Sequence, residues 1–301
     1  MAFVPGPVTV EVPATSANLG PGFDCLGLAL ELTDTIVGEI VDSGLEVHVE
    51  GEGEDLGRDE SHLVVRAMRA AFEAMGEQPT GLRLSCTNRI PHSRGLGSSS
   101  AAIVGGIVLA RGLVADGASL LDDAQALALA NRLEGHPDNV APALLGGFVV
   151  SGQAGDVVWA QDTPVDDTIF AIVLVPPYGV RTEVTRGLLP ELVPHQDAVA
   201  NTGRAALLVV ALGGQPGQLL RATEDFLHQE QREPAMAESI ALVHDLRSRG
   251  VPAVISGAGP TVLALVAEGV TPGIEAVADL VPTGWQTLRQ SVGGAGARVL
   301  A

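Results

Sequence analysis

The chain has 301 residues, of which 46% are hydrophobic and 18% are charged, and this composition is typical of a folded protein with one large or two medium domains. The formal net charge is −19, which argues against a surface for nucleic acid or an anionic membrane, because phosphate contacts need clustered cations. The sequence contains no lysine, so Schiff-base lysine chemistry and a Walker A phosphate loop are excluded.

The two cysteines, Cys25 and Cys86, are typical of a reduced chain and support neither a disulfide framework nor a thiolate metal site. The N-terminus lacks a basic region followed by an apolar one, and no uninterrupted apolar run reaches about 18 residues. We therefore expect a cytoplasmic protein with no membrane segment and no nucleic-acid partner.

The first half of the chain alternates strands and helices. Strands are predicted at 8–12, 25–32, 35–41, 45–49 and 82–86, a helix at 62–75 that ends at Gly76, and a helix at 99–113. A further helix is predicted from an N-cap at Ser119 to Glu134, with Gly135 as its stop, followed by paired strands at 146–151 and 157–161. Glu134 is unusual, because a carboxylate at a helix C-terminus opposes the helix dipole unless it is exposed or a cation compensates it.

Polar and proline residues at 162–167 suggest a domain boundary. Beyond it we predict strands at 169–175, 253–256, 262–266, 286–291 and 297–300, and helices at 182–189, 200–212, 218–228, 234–249 and 273–280. A glycine-containing turn at 257–260 joins two of these strands. The pattern predicts an α+β protein of two domains, residues 1–160 and 161–301.

A glycine- and serine-rich stretch, residues 91–102, separates a predicted strand from the helix at 99–113. Bare N–H groups at a helix N-terminus suit an anion, because the unpaired amides and the helix dipole both favour negative charge. From the residues alone, a serine-capped turn and a phosphate cradle explain this stretch equally well. Since lysine is absent, backbone amides, hydroxyls, arginine and a metal would have to hold any phosphate.

Three loops, residues 13–24, 91–102 and 256–260, together resemble the three motifs of the kinase superfamily named for galactokinase, homoserine kinase, mevalonate kinase and phosphomevalonate kinase (GHMP). Within it, PATSANLGPGFD at 13–24 and EGHPDNVAPA at 134–143 resemble the homoserine kinase family. The resemblance implies the two-domain GHMP fold, with an N-terminal domain like domain 2 of ribosomal protein S5 and a ferredoxin-like C-terminal domain. It also implies ATP-dependent phosphorylation of L-homoserine to O-phospho-L-homoserine in threonine biosynthesis.

The same resemblance assigns the phosphate loop to ATP. The residues expected to bind ATP are Pro91, Arg94, Gly95, Leu96, Gly97, Ser98, Ser99, Ser100 and Ala101. Ser99 and Glu134 are expected to bind Mg²⁺, which would supply the cation that the position of Glu134 requires. The 257–260 turn is expected to pack against this loop as structural support.

Homoserine is a zwitterion with a terminal hydroxyl, so its site needs groups of both charges. The residues that the resemblance places at the substrate are Asn18, Asp24, Asp138, Thr182, Arg186 and Arg232. Asp24 and Asp138 would provide the negative side, near the ammonium and hydroxyl groups. Arg186 and Arg232 would hold the carboxylate, since arginine suits bidentate recognition. Thr182 and Arg186 are four residues apart on a predicted helix and so share one face.

The residues expected to take part in catalysis are Asp138, Asn139 and Glu134. GHMP kinases of the mevalonate and galactose type have an aspartate placed to accept the substrate proton, and Asn139 occupies the corresponding area of this chain. An amide cannot act as a general base. We therefore expect catalysis by positioning and charge neutralisation, with the proton leaving to phosphate or solvent. His136 is expected to be a local hydrogen-bonding residue.

Three other functions remain as alternatives. A kinase for mevalonate or another small alcohol is disfavoured by the paired arginines and the Asp138–Asn139 pair. A nucleotide-sensing protein without activity is disfavoured by the intact Gly97, Ser99 and Glu134. A dinucleotide-binding dehydrogenase is disfavoured because the 257–260 turn leads into a strand instead of a helix. A homodimer is expected from the family resemblance.

Overall fold

The computed structural model describes residues 2–273 and 275–300 and contains two β-sheets with helices packed on them. The strands are β1 (Val8–Asn18), β2 (Gly22–Val41), β3 (Gly44–Gly51), β4 (Gly81–Asn88), β5 (Phe148–Ala154), β6 (Val157–Thr163), β7 (Ile169–Val175), β8 (Ala253–Ile255), β9 (Val262–Ala267), β10 (Gln286–Ser291) and β11 (Arg298–Leu300). The helices are α1 (Leu63–Met75), α2 (Ser98–Gly112), α3 (Gly117–Leu120), α4 (Asp123–Glu134), α5 (Pro137–Leu145), α6 (Thr182–Arg186), α7 (His195–Leu212), α8 (Leu219–Ala222), α9 (Glu233–Ser248) and α10 (Glu275–Ala278). Both α-helices and mostly antiparallel sheets are present, so the predicted α+β class is confirmed.

The first sheet has seven strands. Its main path runs β11-β1-β2-β4-β3, with β5 paired to β2 and β6 paired to β5. All these pairs are antiparallel except β3–β4, which is parallel. Helices α1, α2, α4 and α5 pack with this sheet to form the larger of the two hydrophobic cores.

Helix α2 lies in the middle of that core and is buried on nearly all sides of its central turns. Two glycines explain how it fits. A Cβ on Gly106 would lie 2.7 Å from the Val64 carbonyl oxygen of α1, and one on Gly105 would lie 2.5 Å from Ile36 of β2. The backbones of α2 and α1 therefore approach each other closely, and this packing fixes where the N-terminus of α2 points.

The second sheet has four antiparallel strands in the order β10-β7-β9-β8. Helix α9 packs on it through Ile240, Val243 and Leu246, which belong to a separate hydrophobic core. The boundaries predicted for β7 and β10 agree with the structure residue by residue. Helix α1 also ends as predicted, with Gly76 in a left-handed conformation.

Some predicted boundaries were wrong. Strand β1 does not end at Pro13 but continues to Asn18, and the two strands predicted at 25–32 and 35–41 form one strand of 20 residues. The helix predicted from Ser119 is two helices, since Asp122 is the N-cap of α4 and forms a capping box with Gln125.

The C-terminal strand does not stay with the second sheet. Strand β11 pairs with β1 at the edge of the first sheet, with Val299 opposite Val10. The division at residue 160 therefore remains a prediction, and the last strand of the chain crosses it. No helix in the described part of the chain combines the length and apolar character needed to span a membrane.

Candidate active site

A cavity of about 730 Å³ is lined on one side by residues of β1, β2 and α2, and on the other by α6, Arg232 and the turn after β8. The predicted site residues in its wall are Asn18, Pro91, Arg94, Gly95, Leu96, Gly97, Ser98, Ser99, Glu134, Asp138, Asn139, Thr182, Arg186 and Arg232. Ser100, Ala101 and Asp24 are absent from the wall. The structure therefore brings residues that lie more than 200 positions apart in the chain into a single cleft.

The phosphate loop enters this cavity at the N-terminus of α2. Gly97 is the N-cap residue and has a left-handed φ of 71°, and Gly95 has a φ of 73°. A Cβ on Gly95 would lie 2.2 Å from the Ser256 carbonyl oxygen, and one on Gly97 would lie 2.0 Å from the Thr15 hydroxyl oxygen. Glycine is therefore required at both positions by conformation and by space.

The 256–260 turn supports the loop from the second sheet. The Ser256 hydroxyl donates a hydrogen bond of 2.7 Å to the Gly95 carbonyl oxygen, and the Thr15 amide donates one of 3.0 Å to the Leu96 carbonyl oxygen. The expected packing of this turn against the phosphate loop is confirmed. The loop thus presents its amides from a backbone held on both sides.

The Glu134 carboxylate lies next to the first turn of α2. One of its oxygens, Oε1, accepts hydrogen bonds from the hydroxyls of Ser99, at 2.7 Å, and Ser100, at 2.9 Å. This group of carboxylate and hydroxyl oxygens beside the phosphate loop fits a hard divalent cation such as Mg²⁺, which prefers oxygen ligands and keeps several sites for phosphate and water. The structure adds Ser100 to the pair predicted from the sequence.

Asp138 and Asn139 lie in the first turn of α5 and are both buried. The Oδ1 atom of Asn139 accepts a hydrogen bond of 2.8 Å from the Thr15 hydroxyl, which leaves the amide nitrogen of Asn139 for another partner. Asp138 forms a short hydrogen bond with Nδ1 of His136. Burial disfavours the charged form of His136, but the hydrogen bond and charge of Asp138 outweigh it and raise the pKa of this histidine.

Asp24 and Arg186 form a bidentate ion pair, with oxygen–nitrogen distances of 2.6 and 2.9 Å. The Asp24 backbone is in a left-handed conformation, and its amide donates to the Asn18 side chain at 3.0 Å. The pair joins β2 to α6. Ligand atoms of Asp24, His136 and Asp138 lie within 4.8 Å of one another, so the carboxylates of Asp24 and Asp138 form a small acidic cluster beside His136.

Arg232 is almost completely buried, at 1% exposure, and lines the cavity. It donates a hydrogen bond of 3.0 Å to the Gly257 carbonyl oxygen, while its Nε has no partner among the described residues. Burial and the nearby positive charge of Arg186 lower the pKa of Arg232 to about 10, so it stays protonated at neutral pH. A buried cation with an unused donor is suited to an anionic ligand group.

Arg94 is held by backbone carbonyls. Its guanidinium donates to the carbonyl oxygens of Pro176, at 3.1 Å, Pro177, at 3.0 Å, and His92, at 2.8 Å. This side chain therefore ties the phosphate loop to the segment that follows β7. Its contact with ATP stays a prediction.

Sequence reasoning did not assign roles to several residues that shape the site. Thr15 supports Gly97 and Asn139, and the Gly257 carbonyl oxygen accepts from both Asn18 and Arg232. Thr15 lies inside the 13–24 motif, so its place in that motif was the available signal.

Cys25 lies beside the acidic cluster. Burial, and to a smaller extent the negative charges of Asp138 and Asp24, raise the pKa of its thiol to about 11. That thiol is therefore protonated and is not a nucleophile at neutral pH.

Comparison with known proteins adds independent findings. The family model for the GHMP kinases N terminal domain matches residues 62–147. The homoserine kinase of Streptomyces avermitilis is 56% identical over 99% of this chain and 97% of its own length, and that of Mycolicibacterium smegmatis is 50% identical over 96% and 94%. The crystal structure of homoserine kinase from Cytophaga hutchinsonii superposes with a TM-score of 0.84 at 26% identity, covering 100% of this chain and 99% of that one.

Proposed function

Since this chain belongs to the homoserine kinase family of the GHMP kinases, we propose that it transfers the γ-phosphoryl group of ATP to the hydroxyl of L-homoserine, giving O-phospho-L-homoserine. The observation that carries the proposal is the wall of the central cavity. It combines a helix N-terminus with glycine-rich backbone, a carboxylate beside it, and two arginines facing a cluster of acidic groups.

ATP is assigned to the side of the cavity formed by the phosphate loop. The amides of Gly95, Gly97 and Ser98 lie where α2 begins, and the unpaired N–H groups and the helix dipole both favour phosphate there. The protein has a net charge of −19, so this local positive field is needed to admit a polyanion. The remaining loop residues predicted from the sequence keep the same assignment.

Mg²⁺ is assigned to Glu134 and Ser99, with Ser100 as a second hydroxyl on the same carboxylate. When bound, the ion neutralises charge on the phosphates. The protein contributes a carboxylate that is already held by two hydroxyl donors, so its oxygens are oriented toward the loop before any ligand enters.

Homoserine is assigned to the other side of the cavity. Its carboxylate suits Arg186 and Arg232, while its ammonium suits the acidic cluster of Asp24 and Asp138. The Asp24–Arg186 ion pair would open as the substrate arrives, because the zwitterion offers each partner a group of opposite charge. Thr182 lines the cavity one helical turn before Arg186 and is assigned to the same ligand.

The chemical step relies on positioning and charge neutralisation. Asn139 cannot take a proton, and its side chain is fixed by Thr15 with the amide nitrogen free to orient the attacking hydroxyl. Asp138 is held by His136 at the start of α5 and lies in the cavity wall. The hydroxyl proton leaves to the transferred phosphate or to solvent, consistent with a loose phosphoryl-transfer transition state.

The rest of the proposal concerns the protein in the cell. We assign the reaction to threonine biosynthesis and the enzyme to the cytoplasm, where the free thiols of Cys25 and Cys86 are stable. We also infer a homodimer, which sedimentation of the purified protein tests directly.

The test is an assay of ADP release with Mg²⁺-ATP and each of L-homoserine, L-serine, L-threonine and mevalonate. L-Homoserine is expected to give the highest kcat/KM, and mass spectrometry should detect O-phospho-L-homoserine. Turnover confined to mevalonate, or ATP binding without turnover of any alcohol, would contradict the proposal.

A further inference from the structure

We propose that Phe23 is a positioning residue whose ring holds both substrate-facing arginines in place and thereby sets the affinity for the substrate carboxylate. The inference rests on the proposed function. Phe23 is the second residue of β2, directly after the turn between β1 and β2, and no role followed for it from the sequence.

Both guanidinium groups approach the same ring. The Cζ atom of Arg186 lies 5.4 Å from the centroid of the Phe23 ring, and that of Arg232 lies 5.5 Å from it. Both arginines line the cavity, whereas Phe23 does not. The ring is therefore not part of the cavity wall and acts through the two arginines.

The contact with Phe23 offsets part of the repulsion between the two guanidinium groups. Two positive charges are held close together, as the effect of Arg186 on the pKa of Arg232 shows. The negative face of an aromatic ring attracts each guanidinium without using any of its N–H donors. The donors stay available for a carboxylate, and less rearrangement is needed when the substrate binds.

The Phe23 ring is itself supported. The ring of His228 lies 5.1 Å away with an interplanar angle of 34°. His228 is fully buried, and its Nε2 is hydrogen-bonded at 2.7 Å to the carbonyl oxygen of Gly20, in the turn that precedes Phe23. Burial and the charge of Arg232 lower the pKa of His228, so it is neutral and adds no third positive charge.

The main variant is Phe23→Leu, which keeps apolar volume and removes the aromatic face. It is expected to raise KM for L-homoserine about tenfold, equivalent to about 1.4 kcal/mol, with kcat and KM for ATP changed less than twofold. The inhibition constant of 2-amino-1,4-butanediol, which lacks the carboxylate, should change less than twofold. An equal loss for both compounds would show that Phe23 shapes the site in general and would overturn the inference.

Two further variants complete the test. Phe170→Leu is the matched control, because Arg289 stacks on the Phe170 ring at 4.1 Å, outside the central cavity. The KM values of this variant should equal those of the parent. Trifluorophenylalanine at position 23 keeps the ring shape and weakens its negative face, so it should raise KM for homoserine even if Phe23→Leu does not fold. An unchanged KM in both Phe23 variants, in a protein that does phosphorylate homoserine, rejects this inference alone. Absence of homoserine turnover in the parent rejects the proposed function.

Discussion

The backbone of Gly97 packs against two side chains of the candidate site. A Cβ there would meet the Thr15 hydroxyl oxygen at 2.0 Å and the Asn139 amide oxygen at 3.2 Å, and the φ of 71° disfavours any other residue. One position therefore connects the phosphate loop to the residue proposed to orient the attacking hydroxyl. A side chain at position 97 would therefore displace both the phosphate loop and Asn139, and so disturb the proposed sites of ATP and homoserine.

Gly97→Ala is expected to reduce kcat/KM for ATP about 100-fold, because displacing reacting groups by about 1 Å has effects of that size. Gly44→Ala is the matched control, since Gly44 also has a positive φ, of 83°, but has open space around it. It should lose about 1 kcal/mol of unfolding free energy with unchanged kinetics. Steady-state kinetics and urea unfolding of both variants check this. If kcat/KM for ATP of Gly97→Ala equals that of the parent, the loop does not bind phosphate.

Glu134→Gln tests the assigned metal ligand. The amide can still accept a hydrogen bond from Ser99 but carries no charge, so kcat is expected to fall about 100-fold while the dissociation constant of homoserine changes little. Titration of activity with Mg²⁺ should show a higher concentration for half-maximal rate. Glu46→Gln, at an exposed ion pair with Arg83, serves as control. An unchanged Mg²⁺ dependence in Glu134→Gln would contradict the assignment.

The sequence predicted which residue types the site contains better than how they contact one another. The motifs at 13–24, 91–102 and 134–143 supplied most of the cavity wall. The Asp24–Arg186 pair joins residues 162 positions apart, and Arg94 donates to carbonyls more than 80 positions away. Long-range contacts of this kind leave no local pattern, so the sequence did not show that the guanidinium of Arg94 donates to backbone carbonyls.

At the scale of helices and strands, the wrongly predicted boundaries have local physical causes. The helix predicted over 218–228 ends at Ala222, because the Asp225 carboxylate accepts from the amides of Leu227, His228 and Gln229 and holds a turn instead. Asp34 looked like the break between two strands, yet β2 continues through it. Its carboxyl group accepts from the amides of Arg89 and Ile90, directly after β4, so this buried polar group has partners there.

Burial of His228, in the turn held by Asp225, is expected to make the stability of the fold depend on pH. Because burial lowers the pKa of His228 in the folded protein, the unfolded chain binds a proton below about pH 6.5 that the folded chain does not. The free energy of unfolding should therefore fall as pH drops below 6.5, by at most about 1.4 kcal/mol per pH unit from this residue. Urea unfolding between pH 7.5 and 5 measures it.

His228→Gln isolates this contribution, since glutamine can still donate to the Gly20 carbonyl and does not titrate. Its pH slope should be shallower than that of the parent between pH 6.5 and 5. His48→Gln, at an exposed position in β3, should keep the parental slope. Equal slopes in the parent and His228→Gln would show that His228 does not resist protonation in the fold.

At the scale of the whole molecule, the C-terminal part of the chain contacts the first sheet away from the cavity. The Gln290 side chain of β10 accepts from the Leu32 amide of β2 at 2.7 Å, and β11 returns to β1. The sequence predicted the strand at the C-terminus but not the sheet to which it belongs, because three residues have too little pattern to specify a partner.

A chain that stops after Ala297 is expected to lose on the order of 2 kcal/mol of unfolding free energy, since it loses the backbone pairing between β11 and β1 and each such hydrogen bond contributes about 1 kcal/mol. Arg298→Ala removes only the exposed ion pair with Glu11 and should cost less than 1 kcal/mol. Urea midpoints at a constant m-value check both, and equal midpoints for the truncated and full chains would show that β11 adds no stability.

The return of β11 also fixes the order in which the molecule can be completed on the ribosome. The first sheet begins with residue 8, but its edge strand is residues 298–300, which are synthesised after every other strand of both sheets. Throughout translation β1 therefore has an open edge that can pair with another nascent chain. A fusion partner attached at the C-terminus would prolong that exposure, whereas one at the N-terminus would not.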